Sequence, residues 1–157
     1  MADEKMTIIL FSGEMDKAIA AFTLATTAAA SGMDAVIFFT FWGLNVLKKE
    51  KYSIGGKKTI LQRIFNFMST GSLPTTKLNM FSLGPWMMNL IMKKTGAARL
   101  EDLMKLSKQL GVKYIACTTS CRVLGLSKEE LSNDVDDFAG AATYLGEARE
   151  SKINLFI

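Results

Sequence analysis

Four short stretches of the chain are almost uninterrupted runs of apolar side chains: MTIILFS (6–12), DAVIFFT (34–40), VKYIAC (112–117) and INLFI (153–157). Runs of this length, bounded by turn residues, are the mark of strands buried on both faces of a parallel sheet. Between the first two, EMDKAIAAFTLATTAAAS (14–31) reads as an Ala-rich helix, with Glu14 and Asp16 in the first turn, where the helix dipole favours acids. Gly32 stands where a C-terminal cap glycine belongs. Strand, helix and strand within about 35 residues make a right-handed βαβ unit. The amphipathic LEDLMKLSKQLG (100–111), then VKYIAC, AGAATYLGEARES (139–151) and INLFI, read as a second such unit. The pattern therefore predicts an α/β fold, a parallel sheet with helices on both faces.

The middle of the chain, 41–98, breaks this rhythm. It sets Lys48, Lys49, Lys51, Lys57, Lys58 and Arg63 against one acid, Glu50, and continues into an apolar, Met-rich stretch (78–92). We expect one domain over 1–157, carrying an insertion of short helices and loops over about 50–98. Within it, Met80 to Met92, with Pro85, Trp86, Met87 and Met88, reads as core or as a subunit contact. We weigh the contact slightly higher and expect a homo-oligomer.

Composition narrows the class. Hydrophobic residues make up 49% and charged residues 22% of 157, which suits a packed domain rather than a disordered one. A net charge of +4 is a weak argument for an acidic partner, and no nucleic-acid partner is expected. MADEKMTIIL carries acids where a secretory leader carries Lys or Arg, and no stretch reaches the ~18–20 apolar residues that span a bilayer. A cytoplasmic protein without a transmembrane segment is the expectation. Two cysteines in such a compartment do not suggest a disulfide framework.

Candidate chemistry is sparse. The chain has no histidine, which excludes Cys-His and Ser-His-Asp catalysis and leaves a zinc site dependent on carboxylates, so no metal is expected. SIGGKKT (53–59) fails the phosphate-loop pattern, and no G-x-G-x-x-G follows a strand, so no cofactor is expected either. Both cysteines lie in YIACTTSCRVLGLS (114–127). Cys117 ends a predicted strand, where open α/β sheets bind ligands. A helix N-terminus after it, the N–H groups and hydroxyls of Thr118, Thr119 and Ser120, and the charge of Arg122 would lower its pKa and favour the thiolate. A small hydrophobe packed at a strand end explains the same position equally well. Cys121, four residues on, departs from the C-x-x-C redox spacing, so a Cys117–Cys121 disulfide is not signalled. Ser12, Gly13 and Asp16 follow the first strand, at the same sheet edge, and are expected to shape its turn and cap the helix.

Three stretches carry a resemblance: 11–49, 111–131 and 140–157. The first is the most specific, with its Ser-Gly-x-x-Asp-Lys turn (Ser12, Gly13, Asp16, Lys17) and its Phe-Thr-Phe-Trp-Gly run (39–43). Together they resemble the DsrE/DsrF-like family of small sulfur-relay proteins, in its branch with a central insertion. The resemblance implies a three-layer α/β/α domain whose mostly parallel sheet has about five strands, assembled into homo- or hetero-oligomers. It also implies a cysteine that carries sulfane sulfur as a persulfide, exchanged with a TusA-like or rhodanese-like protein. Cys117 falls at the family's cysteine position, before the S-x-x-x-x-G turn of Ser120 and Gly125. Cys121 stands where members of that family often carry Met or another apolar residue. A non-catalytic assembly subunit and a thiol redox sensor using Cys117 and Cys121 are the alternatives.

Overall fold

Strand β1 (Lys5–Leu10) alternates Met6, Ile8 and Leu10 on one face with Thr7 and Ile9 on the other. Like its neighbour β2 (Asp34–Phe39), it is covered on both faces, which is why its sequence reads as a continuous apolar run. The computed structural model describes residues 4–49, 58–68, 73–77 and 83–157. The remaining elements are α1 (Met15–Ala30), α2 (Ile60–Met68), α3 (Leu83–Thr95), α4 (Leu100–Gln109), β3 (Lys113–Cys117), α5 (Thr118–Leu124), β4 (Asp137–Ala139), α6 (Ala141–Arg149) and β5 (Ile153–Phe156). A 3-10 segment, Phe41–Leu47, follows β2 directly.

The five strands are all parallel and lie in the order β4-β3-β2-β1-β5. The expected α/β class, with a parallel sheet of about five strands and helices on both faces, is what the chain forms. Two details differ from the pattern reading. β4 is only three residues, DFA, too short to show a periodicity, and it exists through its pairing with β3. The predicted second βαβ unit also does not join neighbours. β3 and β5 are separated by β2 and β1, and α6 crosses the sheet from β4 at one edge to β5 at the other.

On one face, α1 lays Ala18, Ala21, Phe22, Ala25 and Ala28 on the sheet, and α4 packs beside it. The small side chains let α1 approach closely, while Phe22, Phe39 and Tyr114 form a three-ring cluster with centroids 5.3–6.1 Å apart. α1 ends as expected at Gly32, whose φ of +84° suits glycine; Gly32 N–H donates to Ala29 O and Met33 N–H to Ala28 O. The opposite face is covered by α6, whose Tyr144 packs with Val36, Phe38, Ile115 and Cys117.

Parts of the predicted central insertion, residues 50–57, 69–72 and 78–82, lie outside the described residues, as does most of SIGGKKT. The described parts are helical or irregular and attach at the carboxyl edge of the sheet. Met15 N–H donates to Pro74 O at 2.7 Å, and Gln62 Nε2 donates to Arg122 O at 3.2 Å. Of the apolar residues singled out there, Pro85 is buried, whereas Trp86 and Met87 are exposed.

Candidate functional site

The chain leaving β3 turns into α5, whose Cys121 and Leu124 join the α1 face of the core. The chain leaving the adjacent β4 turns into α6 on the other face. Between two parallel strands whose exits diverge, the carboxyl edge opens a crevice, the usual ligand position in such sheets. Cys117 is the last residue of β3 and pairs with Ala139, the last residue of β4, so it stands at this divergence.

Cys117 is 6% exposed and caps α5 with extended backbone (φ −70°, ψ 114°). Burial raises its pKa, as it does for any thiol in apolar surroundings. Hydrogen bonding from the Ser120 and Thr119 N–H groups and from the paired hydroxyls of Ser120 and Thr40 favours the charged sulfur and outweighs the burial, so the pKa lies below the ordinary value. Thr40 directly follows β2, the neighbour of β3, and its Oγ1 lies 2.8 Å from Ser120 Oγ. A charged sulfur held by several donors is a stronger nucleophile source at neutral pH than a free thiol, because the thiolate is the reactive form.

Cys121 shares α5 but not this environment. Its side chain is 8% exposed in the other core cluster, and burial, followed by repulsion from Cys117, pushes its pKa up to about 11. Both cysteines are free thiols.

The other residues singled out from sequence divide into two groups. Thr119 and Ser120 meet Cys117, as described, while Thr118 is half-buried in the first turn of α5. Arg122 is exposed, and after burial the leading influences on Cys117 are the hydroxyls and amides above rather than its guanidinium. Ser12 and Gly13 line a separate cleft of about 480 Å³ at the end of β1, with Phe11, Trp42, Asn45 and Pro74 among the walls. Cys117 is not one of its lining residues. The α1 cap position belongs to Glu14, which makes no side-chain cap bond. Asp16 Oδ1 instead accepts from Thr76 N–H at 3.1 Å. Burial raises the Asp16 pKa, but donation from Thr76 and from the N–H groups of its own turn lowers it overall.

Thr40 is the residue that sequence reading missed. Its signal was its place at the end of an apolar run, but only strand order puts β2 beside β3. The turn after it is tightly built. Phe41 has a φ of +45°, rare for a bulky residue. A Cβ on Gly43 would come 2.0 Å from Leu10 O, so the backbone of the turn rests directly on β1. Gly13 faces the same turn, where a Cβ would lie 2.7 Å from Trp42 O.

Comparison with known proteins agrees with this architecture. The chain is 41% identical over 157 residues to Uncharacterized protein YrkE of Bacillus subtilis, covering 98% of this chain and 97% of that one. It is 35% identical over 164 residues to Sulfur carrier protein DsrE2 of Allochromatium vinosum, with both chains fully covered. Two solved structures share the fold at low identity. The protein MTH1491 of Methanobacterium thermoautotrophicum matches with a TM-score of 0.59 at 12% identity, over 99% of this chain and all of that one. The E. coli ychN protein matches with a TM-score of 0.56 at 9% identity, over the whole of both chains. The model of the DsrE/DsrF/DrsH-like family matches residues 2–156. With nearly every residue inside that match, and two relatives above a third identical over 97% or more of their length, the chain belongs to the DsrE/DsrF/DrsH-like family.

Proposed function

We propose that this protein is a sulfur carrier that holds sulfane sulfur as a persulfide on Cys117. The observation that carries the reading is the donor set around that thiol: Ser120, Thr40 and Thr119 lower its pKa against the effect of burial. The name of the relative from Allochromatium vinosum, a sulfur carrier protein, supports the same class of activity. In the loading step the Cys117 thiolate attacks the outer sulfur of a donor persulfide, R–S–SH. A new S–S bond forms at Cys117, the donor S–S bond breaks, and its electron pair leaves on R–S⁻. Sulfur is transferred without net oxidation. Unloading is the reverse step, with an acceptor thiolate attacking the outer sulfur and restoring the Cys117 thiolate.

The donor and acceptor are proteins of TusA-like or rhodanese-like type in this reading, working in a reducing cytoplasm. Because Cys117 is almost fully buried, the partner has to present its sulfur on an extended arm or loop rather than on a flat surface. The protein itself works as a homo-oligomer. Phe156 on the edge strand β5 is 68% exposed, and Phe41 and Trp42 in the turn after β2 are 41% and 38% exposed, which supports a subunit contact at this end.

The direct test is mass spectrometry after incubation with a persulfide donor. A gain of about 32 Da, one sulfur atom, located on the Cys117 peptide is the expected result. An unchanged mass under conditions that load a known carrier would refute the proposal.

A further inference from the structure

Helix α3 exposes its apolar stripe. Leu83, Trp86, Met87, Leu90 and Ile91 recur at the spacing that puts side chains on one helical face, and all five are 39–61% exposed. Pro85 is buried, and Asn89 Nδ2 lies 3.7 Å from Met15 Sδ, so another side of the helix is the one held at the start of α1. α2 repeats the arrangement: Gln62 reaches α5, while Ile60, Leu61 and Ile64 are 52–79% exposed.

Charge decides what such a surface can meet. Residues 51–100 hold six Lys, two Arg and no Asp or Glu. Arg63, Lys77, Lys93 and Lys94 make no ion pair among the described residues. Lys93 and Lys94 directly follow the apolar stripe, in the last turn of α3. A second copy presenting the same face would set cations against cations. An anionic lipid surface matches both features, since apolar side chains enter the headgroup–acyl boundary while cations meet the phosphates. The indole of Trp86 suits that boundary, having an apolar body and a polar N–H.

Length decides how the helix would lie. At 13 residues, α3 extends about 20 Å, well short of the roughly 30 Å hydrocarbon core of a bilayer. No helix among the described residues is long and apolar enough to cross a membrane. We propose that α3 docks on an anionic phospholipid surface with its axis in the plane of the bilayer and its Leu83–Ile91 stripe turned into the lipid.

Flotation of the full chain with vesicles tests this, comparing phosphatidylcholine alone with phosphatidylcholine containing phosphatidylglycerol. The protein should float with the anionic vesicles, stay behind with the neutral ones, and release as salt rises. Trp86→Glu should abolish flotation, and Lys93→Gln and Lys94→Gln should each weaken it about five-fold. Circular dichroism checks that the variants are folded; if Trp86→Glu is not, the two lysine variants decide. Wild-type protein that fails to float with anionic vesicles, or lysine variants that float as well as wild type, would overturn the proposal. So would a fall in the lipid-free mass of folded Trp86→Glu by light scattering, which would give the stripe to a second copy. The docking is independent of the sulfur reading, so these variants should load sulfur on Cys117 as wild type does.

Discussion

Thr40 Oγ1 and Ser120 Oγ lie 2.8 Å apart across 80 residues of sequence, one directly after β2 and the other in the first turn of α5. As a hydrogen-bonded pair they favour the charged form of the Cys117 sulfur. The pair therefore ties the ends of two neighbouring strands to the thiol between the sheet and α5.

Removing either hydroxyl should weaken the thiolate. Thr40→Val and Ser120→Ala are expected to shift the alkylation inflection of Cys117 to higher pH. A hydrogen bond to a charged group contributes about 1.5–3 kcal/mol, so alkylation at neutral pH should slow by roughly ten- to a hundred-fold. Rates measured against pH in a Cys121→Ser background check this; unchanged profiles in both variants would show that the hydroxyls do not hold the sulfur.

Sulfur loading should belong to one cysteine. Cys117→Ser is expected to abolish the mass gain while leaving the circular dichroism spectrum unchanged, because the side chains are similar in size. Cys121→Ser should still load. A protein in which the two variants behave the other way round would reassign the site. Oxidation without a sulfur donor should not give the two-proton mass loss of an internal disulfide, since the two thiols belong to different core clusters.

Cys121 should make the fold sensitive to alkali. Its folded pKa of about 11 exceeds the ~8.5 of an unfolded cysteine, so the unfolded chain loses this proton first. Stability is then intact below about pH 8.5 and declines as pH rises toward about 11. Cys121→Val removes this titration. Urea melts across the alkaline range should show a shallower decline for the variant; parallel curves would count against the raised pKa.

Gly43→Ala should be among the most damaging small substitutions. The added Cβ would lie 2.0 Å from Leu10 O, a backbone atom of the central sheet that cannot rotate away. Gly43 N–H also donates to Phe11 O at 2.8 Å, fixing the same approach. A loss of about 3 kcal/mol or more is expected from overpacking at such a site. A chemical melt showing a loss within about 0.5 kcal/mol, the range of neutral surface changes, would mean that the turn is looser than described.

Assembly should depend on the aromatic edge. Phe156→Glu places a charge on the exposed ring position that stacks 5.8 Å from Phe11, and it is expected to reduce the mass seen by light scattering. Wild-type protein at the 17.3 kDa monomer mass at micromolar concentration would remove the oligomer from the reading.

What the chain declared by itself was local. Apolar runs are visible wherever a strand is covered on both faces, so β1, β2, β3 and β5 were legible to within a residue or two. The helices α1, α4 and α6 were equally legible from composition and spacing, with Gly32 as the stop signal of α1. Cys117 could be placed at a strand end for the same reason. Everything that gives that cysteine a chemical setting is non-local. The pairing of three-residue β4 with β3 depends on backbone hydrogen bonds, not on a side-chain pattern. The order β4-β3-β2-β1-β5 brings Thr40 to Cys117 and sends α5 and α6 to opposite faces. A four-residue spacing could not reveal that Cys117 and Cys121 join different core clusters. That division rests on α5 beginning at the very end of β3, so that Cys117 still follows the pleat of the sheet while Cys121 follows the turn of the helix.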